Sequence, residues 1–248
     1  MSRQDLALPI VPGSPPELVV YDRPHPCPYL ADRPARMPLR LPVRRLRRDE
    51  LDQRLAAGDR RQGMLLYRTR CPSCEACVPL RIPVARFEPT RGHRRTLRRG
   101  DAALTLTAGP PEVDPRRVEL YQLHKAGRGL ADGQAPIDAG AYEDFLVNTC
   151  CDTFELRYAL GGTLVGVAVT DRARRSLSAV YTHYDPALGR LGLGTYSILK
   201  QIELCRSLGL EYLYLGLFIA ESPAMRYKAR FLPHERRLGG AWVPFERE

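Results

Sequence analysis

The order of elements in the last hundred residues constrains the fold most. A hairpin of two apolar strands is followed by a third strand, a glycine-rich loop, a helix and a last strand. Strands are predicted at residues 153–160, 163–170, 176–184 and 211–217, and the helix at residues 195–208. The Gly161-Gly162 pair is typical of a two-residue hairpin turn. Strands that return through a helix predict an α+β fold with a mixed sheet.

The first 150 residues contain weaker patterns. An apolar face predicts a helix at residues 46–61 with Gly58 as a stop, and short strands are expected at 64–68 and 78–84. Asp114-Pro115 is a favourable helix start, so a helix should run to about residue 125. Another helix is predicted at 139–148, and residues 1–25 should form an extended, proline-rich lead-in.

The glycine-rich loop holds Gly189, Gly192 and Gly194 between a strand and a helix. Glycines in this place let backbone N–H groups approach an anion at the positive end of the helix. The spacing resembles the R/Q-x-x-G-x-G/A loop with which N-acetyltransferases (the GNAT superfamily) hold the coenzyme A pyrophosphate. Gly189 stands where Arg or Gln is usual, which argues against an ordinary acetyl-coenzyme A site.

Three cysteines recur at intervals of three residues, at Cys71, Cys74 and Cys77, and Cys27 is the best candidate for a fourth ligand. Four thiolates that converge on one point suit zinc or an iron–sulfur cluster. The alternative is a set of reduced, partly buried thiols without metal. Packing roles are expected for Cys150, Cys151 and Cys205.

Basic residues exceed acidic ones, giving a net charge of +10. Residues 91–99 contain five arginines, and residues 225–235 interleave aromatic and basic side chains. Such a pattern favours phosphate binding and stacking on bases. The alternative for the arginine run is a solvated face, and for Phe231 and Trp242 it is packing against the sheet.

Several classes of protein are excluded. No apolar run reaches the ~18 residues of a membrane span, and the N-terminus lacks the pattern of a secretion signal, so a cytoplasmic protein is expected. Neither a phosphate-binding Walker loop nor an HExxH metal motif occurs. His183, within an aromatic strand end, is expected to be structural.

Ordered motifs along most of the chain resemble those of the arginyl-tRNA–protein transferases, specifically the aspartate/glutamate leucyltransferase branch. The matching stretches are 27–30, 67–68, 74–84, 87–89, 166–171, 178–181, 184–186, 193–196, 212–216, 225, 227–231 and 233–235. The sequence departs from the family at Gly92-His93, at Tyr121-Gln122-Leu123-His124, at Leu191-Gly192 and at Leu217, where Tyr or Trp is usual.

The resemblance implies a smaller N-terminal domain with the cysteine motif, residues 1–110, packed against a GNAT-like C-terminal domain, residues 111–248. It implies transfer of leucine from Leu-tRNA to the N-terminal Asp or Glu of acceptor proteins, which marks them for the N-degron pathway. Arginine is the alternative donor. No cofactor is needed for the transfer, although the cysteines of eukaryotic relatives hold an iron–sulfur cluster.

The reaction that the resemblance implies is aminolysis of an ester, which requires no ATP. Tyr227 and Lys228 are assigned to catalysis, and Arg81 to the acceptor carboxylate, since a guanidinium fork pairs both carboxylate oxygens. The tRNA and its terminal adenosine are assigned to Gly192, Gly194, Arg94, Arg95 and Arg230. Two other classes share these features: a coenzyme A-dependent N-acetyltransferase, and a non-catalytic tRNA-binding redox sensor. Dependence on charged tRNA separates the classes.

Overall fold

A computed structural model describes residues 8–129 and 135–246 of the chain. Its main element is an eight-stranded sheet. The strands are β8 (Val78–Pro83), β9 (Leu104–Gly109), β10 (Thr153–Leu160), β11 (Thr163–Arg172), β12 (Ser176–Tyr184), β13 (Tyr212–Phe218), β14 (His234–Leu238) and β15 (Ala241–Phe245). Across the sheet they lie in the order β15-β14-β8-β13-β12-β11-β10-β9. Only β12 and β13 pair in parallel among the described strands of this sheet.

The N-terminal part forms a second, smaller sheet of five strands in the order β1-β2-β5-β7-β6. Its strands are β1 (Ile10–Val11), β2 (Glu17–Tyr21), β5 (Leu39–Pro42), β6 (Arg60–Gln62) and β7 (Leu65–Tyr67). A separate ribbon pairs β3 (Pro24–Pro26) with β4 (Pro34–Arg36). The predicted extended lead-in therefore contains β1 and β2, and its first seven residues lie outside the described part of the chain.

Six α-helices lie in the described ranges, with shorter helical turns between them. The α-helices are α1 (Arg48–Ala56), α2 (Arg91–Ala103), α3 (Pro115–Gly127), α4 (Ala139–Tyr142), α5 (Leu193–Ser207) and α6 (Pro223–Arg226). A π-helical turn covers Glu143–Val147, and 3₁₀ turns cover Pro186–Leu191 and Tyr227–Arg230. None of the helices in these ranges combines the length and apolar character needed to cross a bilayer.

Helix α5 makes the parallel pairing of β12 and β13 possible, because parallel neighbours need a crossover connection. Its apolar face buries Ile198, Ile202 and Cys205 against the sheet. On the sheet side, Leu213 and Leu215 of β13 complete this core. The packing role expected for Cys205 is confirmed.

A second apolar cluster joins the two sheets. Leu51 and Leu55 of α1 pack with Leu66 of β7 against Tyr214 of β13. Cys150 and Cys151 are buried in the same cluster, which confirms their expected packing role. The small sheet is therefore fixed to the face of the large sheet that lies opposite α5.

The local patterns of the C-terminal part predicted its elements well. The hairpin β10–β11, strands β12 and β13, and helices α3 and α5 lie within two residues of their predicted bounds, and the bounds of β10 and β12 match exactly. The helix predicted at 139–148 is α4 continued by the π turn.

Two features of the N-terminal half differ from expectation. The helix predicted at 46–61 ends at Ala56, because Gly58 has a φ of 93° that favours glycine, and the chain then enters β6. The arginine run, for which no structure was predicted, forms α2. Strands β8 and β9 both belong to the large sheet. Segments from both sides of residue 110 thus build one sheet.

Candidate active site

Strands β12 and β13 diverge, and the gap between them forms the candidate site. They pair only over Ser176–Ser178 and Tyr212–Tyr214, although β12 continues to Tyr184 and β13 to Phe218. The ladder of β12 shifts register beside Ala179, and that of β13 shifts beyond Tyr214. We call this gap the strand cleft. Backbone carbonyls that face it are free to accept hydrogen bonds from side chains, and such gaps at the carboxyl ends of strands are frequent ligand sites.

Lys228 lies in the strand cleft, on the 3₁₀ turn that follows α6. Its side chain is buried, with a fractional exposure of 7%. The Nζ atom donates to the carbonyl oxygen of Leu217 at 2.6 Å and lies 3.3 Å from Met225 Sδ. Burial, together with the charge of Arg60, lowers the pKa of Lys228 to about 7. The amine therefore exchanges a proton near neutral pH.

Arg60 of β6 reaches into the strand cleft from the small sheet. Its guanidinium donates to Ser178 Oγ and to the carbonyl oxygen of Ala179, both at 3.0 Å. Gly216 lies against the same guanidinium and has a φ of 80°. Arg60, Ser178 and Gly216 were not assigned from the sequence. The sequence holds one indication of the position of Arg60. Gly58 ends α1, so Arg60 and Arg61 lie beyond the helix.

Tyr227 and Arg230 lie at the rim of the cleft on the same turn as Lys228. Tyr227 is 37% exposed, and its ring centroid lies 6.0 Å from Lys228 Nζ. Arg230 is exposed. The structure thus brings together three of the residues that were assigned to catalysis and tRNA binding.

Helix α2 presents a continuous basic face. Its N-terminus is capped by Thr90, whose Oγ1 accepts from the His93 backbone N–H at 3.1 Å. The His93 ring stacks on Phe87 and Phe231 with centroid distances of 5.7 and 5.1 Å. This stacking anchors the helix to the core beside the 3₁₀ turn that carries Lys228. The exposed arginines of this helix are Arg91, Arg94, Arg95, Arg98 and Arg99. None forms an ion pair with a described carboxylate, so the face carries uncompensated positive charge.

The glycine-rich loop is shorter and more helical than expected. Residues Pro186–Leu191 form a 3₁₀ turn, and Gly192, with a φ of 65°, begins α5. The N–H of Gly192 donates to the carbonyl oxygen of Gly189 at 3.1 Å, so it is not directed at a ligand. Gly194 lies in the first turn of α5, where N–H groups lack partners within the helix. Gly192 packs near Thr96, which places this helix start beside the basic face of α2.

Arg81, assigned to the acceptor, is held by groups of the protein itself. Its Nε donates to Glu235 at 2.6 Å, and its Nη1 donates to the Tyr214 hydroxyl at 3.1 Å. The guanidinium lies between the rings of Tyr212 and Trp242, 3.8 and 4.2 Å from their centroids. Trp242 is thereby a packing residue, as expected. A second carboxylate at Arg81 would have to displace Glu235.

The four cysteines assigned to a metal lie near one another. Burial raises the pKa of the Cys77 thiol to about 12, and the proximity of Cys27, Cys71 and Cys74 adds to this. All four are half-buried. Across the described ranges, however, no three His, Cys, Asp or Glu side chains are arranged as a metal site. The donor set suits zinc or a cluster, and the ligand assignment stays a prediction.

An aromatic cluster lies on the α3 side of β12. The ring centroids of Tyr121 and Tyr181 are 5.3 Å apart, and Tyr142 Oη lies 3.2 Å from Nε2 of the buried His183. Burial lowers the pKa of His183 to about 3, so it stays neutral, in agreement with a structural role. A cavity of about 430 Å³ borders Tyr121, Ala126, Ile137 and Ala141. The cavity therefore lies on the outer side of Tyr121, whose ring contacts Tyr181 of β12.

Two family models match the chain. The model of the arginine-tRNA-protein transferase N terminus matches residues 25–95, and the model of the C terminus matches residues 116–238. The first match contains Arg60 and Arg81, and the second contains Ser178, Gly216 and Lys228. The site described above is therefore built from both matched regions.

Curated relatives match over almost the whole chain. The aspartate/glutamate leucyltransferase of Halorhodospira halophila is 43% identical over 88% of this chain and 93% of its own. Those of Chromobacterium violaceum and Gluconacetobacter diazotrophicus are 37% and 38% identical, over 88% and 94% of this chain and 90% of each relative.

A likeness to a solved structure concerns the fold alone. The C-terminal domain of a provisionally named lysylphosphatidylglycerol synthetase from Agrobacterium fabrum superposes with a TM-score of 0.50 at 14% identity. The likeness covers 69% of this chain and 59% of that structure, so the chain spans less than two thirds of its length. A mixed α+β fold is shared by the two proteins.

Proposed function

Because the chain belongs to the arginine-tRNA-protein transferase family, we propose that it transfers leucine from Leu-tRNA to proteins that begin with Asp or Glu. The observation that carries this proposal is the near full-length match to aspartate/glutamate leucyltransferases, at 43% identity for one of them. The matches extend over about nine tenths of the length of these relatives. We further propose that the conjugates enter the N-degron pathway and that the enzyme works in the cytoplasm.

The proposed reaction joins the acceptor's α-amine to the leucyl carbonyl carbon of the tRNA ester. The new C–N bond forms, the ester C–O bond breaks, and the ribose oxygen leaves with a proton. The amine gives up one proton, and a base near neutral pKa suits this transfer. Lys228, with a pKa of about 7, takes up that proton and returns it to the ribose oxygen.

The environment of Lys228 supports this role. Its hydrogen bond to the Leu217 carbonyl uses an N–H group and leaves the lone pair of the neutral amine free to accept a proton. Burial keeps the amine neutral at a pH where an exposed lysine is charged. Tyr227, at the rim within 6.0 Å of Nζ, is placed to orient the ester or donate to its oxygen.

The donor tRNA is assigned to the basic face of α2 and to the start of α5. Arg94 and Arg95 are exposed and without carboxylate partners among the described residues, and Arg230 extends this charge toward Lys228. Gly194 contributes a backbone N–H at the positive end of α5. Because Gly192 donates to Gly189, its contribution is the left-handed backbone that starts the helix and not an N–H group.

We propose that the large sheet is GNAT-like. The support for this is the divergence of β12 and β13, the irregular register beside Ala179, and the crossover through α5. The division at residue 110 remains a proposal as well. The change from one family model to the other between residues 95 and 116 supports it, whereas β8 and β9 place strands from before residue 110 in the large sheet.

The cysteine motif is not given a step in this reaction. We propose separately that Cys27, Cys71, Cys74 and Cys77 would hold zinc or an iron–sulfur cluster. Aminolysis of an activated ester needs positioning, a base and stabilisation of the oxyanion, all of which the protein's own groups supply. We propose that the transfer requires no cofactor.

Transfer of labelled amino acid from charged tRNA to short peptides tests the proposal. Leu-tRNA and Arg-tRNA are each offered with peptides that begin with Asp, Glu or Ala. Leucine on the acidic peptides alone is the expected result. Arginine on the same peptides would keep the mechanism and change the donor, and no transfer from either tRNA would overturn the proposal.

A further inference from the structure

Four arginines are buried within the described part of the chain, and three of them pair with buried carboxylates. Arg40 donates to Glu17 and to Asp59, at 2.7 and 2.6 Å. The other two pairs are Arg61 with Asp171 and Arg117 with Glu155. This pattern is expected, because burying a charge without a counter-charge is costly.

Arg60 is the exception to this pattern. It is only 9% exposed and forms no ion pair with any described carboxylate. Two of the five N–H groups of its guanidinium donate to Ser178 Oγ and the Ala179 carbonyl oxygen. Both acceptors are neutral, so the charge of Arg60 has no partner of opposite sign in the strand cleft.

Lys228, the other buried basic residue of the strand cleft, cannot balance the charge of Arg60. Lys228 lies close enough for the charge of Arg60 to lower its pKa, and it also lacks a described carboxylate partner. Lys228 relieves the repulsion by losing its proton near neutral pH. A guanidinium stays charged throughout this range, so Arg60 keeps a buried positive charge beside a neutral amine.

The packing around Arg60 fixes its direction. A β-carbon on Gly216 would stand 2.8 Å from Arg60 Nη2 and 3.0 Å from Nε, so glycine is needed for the guanidinium to lie there. The bonds to Ser178 and Ala179 hold it from the β12 side. A fork that is fixed in this way is prepared for a carboxylate, whose two oxygens match its geometry.

We propose that Arg60 binds the side-chain carboxylate of the acceptor's N-terminal Asp or Glu. This inference rests on the proposed function and identifies the residue that selects the acceptor. In Asp and Glu the carboxylate is only a few bonds from the α-amine, so an amine beside Lys228 places the carboxylate near its neighbour Arg60. Asn offers the same shape without charge, and its NH₂ group meets the N–H groups of Arg60.

Direct binding tests this assignment apart from catalysis. Calorimetry with deacylated tRNA present compares two peptides that differ only in an N-terminal Asp or Asn. The variants are R60K, which keeps the charge but not the fork, and S178A, which keeps Arg60 but removes one of its anchors. The matched control is R61K, the neighbouring buried arginine, whose charge is paired with Asp171. Circular dichroism verifies that each variant is folded.

The wild type is expected to favour the Asp peptide by at least about 30-fold, in the range for a buried charge pair. In R60K this preference should fall at least about tenfold, and in S178A by a smaller factor, while R61K should keep it. An unchanged Asp/Asn ratio in R60K and S178A would overturn the assignment, as would a wild type without preference. Preference for Asp without leucine transfer would overturn the proposed function and leave the carboxylate site standing.

Discussion

The backbone of Gly216 lies directly against the guanidinium of Arg60, so that a β-carbon on Gly216 would stand 2.8 Å from Arg60 Nη2. Gly216 belongs to the large sheet, whereas Arg60 belongs to the small one. The register shift of β13 beyond Tyr214 creates this close approach. A single glycine thus sets how far an arginine of one sheet enters the cleft of the other.

Replacing Gly216 with Ala should displace Arg60 and lower acceptor use. Because a misplacement of about 1 Å at a site can cost about 100-fold, we expect kcat/KM for Asp peptides to fall by a factor of that order. The left-handed backbone, with a φ of 80°, adds a loss of about 1–2 kcal/mol in the free energy of unfolding. Steady-state kinetics and urea unfolding measure the two effects.

The control for that variant is G209A. Gly209 also has a positive φ, 65°, but a β-carbon there meets no atom within 4 Å. G209A should therefore lose similar stability and keep full transfer activity. Equal losses of activity in both variants would attribute the effect to backbone strain and not to Arg60.

Replacing Lys228 with Met should slow transfer by about 100-fold to 10,000-fold, the usual contribution of a general base. The base acts when neutral, and its neutral fraction rises as the pH rises through about 7. The wild-type rate should therefore increase between about pH 6 and 8. Single-turnover rates with saturating Leu-tRNA measure this profile.

The acceptor's own α-amine must also be neutral, and it titrates at about 7.7–8.0. K228M should retain only that dependence, so its profile should shift to higher pH as well as to lower rates. K200M is the control, because Lys200 already forms ion pairs with Asp101 of α2 and Glu203 of α5. A K228M enzyme with the wild-type rate and profile would remove Lys228 from the mechanism.

Charge reversal at Arg94 and Arg95 together should weaken binding of tRNA. Each phosphate contact contributes about 0.9 to the slope of log K against log salt on duplex nucleic acid. The double variant should therefore reduce the magnitude of that slope by about 2. Filter binding of deacylated tRNA at several salt concentrations measures it.

R174E is the control for the tRNA prediction. Arg174 is exposed in the turn between β11 and β12, where its backbone N–H donates to the Arg48 carbonyl oxygen of α1. It should change the slope little. Equal effects of R174E and the double variant would indicate a response to net charge alone and would contradict a binding face on α2.

Local patterns made the C-terminal part predictable, because alternation and helical spacing act between near neighbours in sequence. The position of β8 was not predictable in this way. It pairs with β13 and β14, more than a hundred residues away, and such pairing leaves no periodic signal. The place of the N-terminal half in the large sheet therefore became visible only in the structure.

The candidate site residues also divide into those that a local pattern indicates and those that depend on distant contacts. Lys228 and Tyr227 belong to one short stretch in which aromatic and basic residues alternate, so the sequence alone could single them out as candidates. Arg60, unlike its neighbour Arg61, has no carboxylate partner among the described residues, and that difference depends on residues more than a hundred positions away. Arg81 resembled a free strand arginine because Glu235, which pairs with it, is equally distant in sequence.

Replacing Arg81 with Met separates the two candidate arginines. The Arg81–Glu235 pair is mostly buried, with side-chain exposures of 12% and 16%, so removing one partner leaves a carboxylate uncompensated. We expect the free energy of unfolding to fall by about 2–4 kcal/mol. R86M, which removes the exposed pair of Arg86 with Glu246, should cost under about 1 kcal/mol.

The folded R81M enzyme should keep the wild-type preference for Asp over Asn peptides, because Arg81 already has its carboxylate within the protein. Urea unfolding gives the stability, and calorimetry below the unfolding transition gives the preference. If R81M were as stable as the wild type but had lost the preference, Arg81 would bind the acceptor by releasing Glu235. Arg60 would then have no part in selecting the acceptor, so R81M and R60K together decide which arginine does.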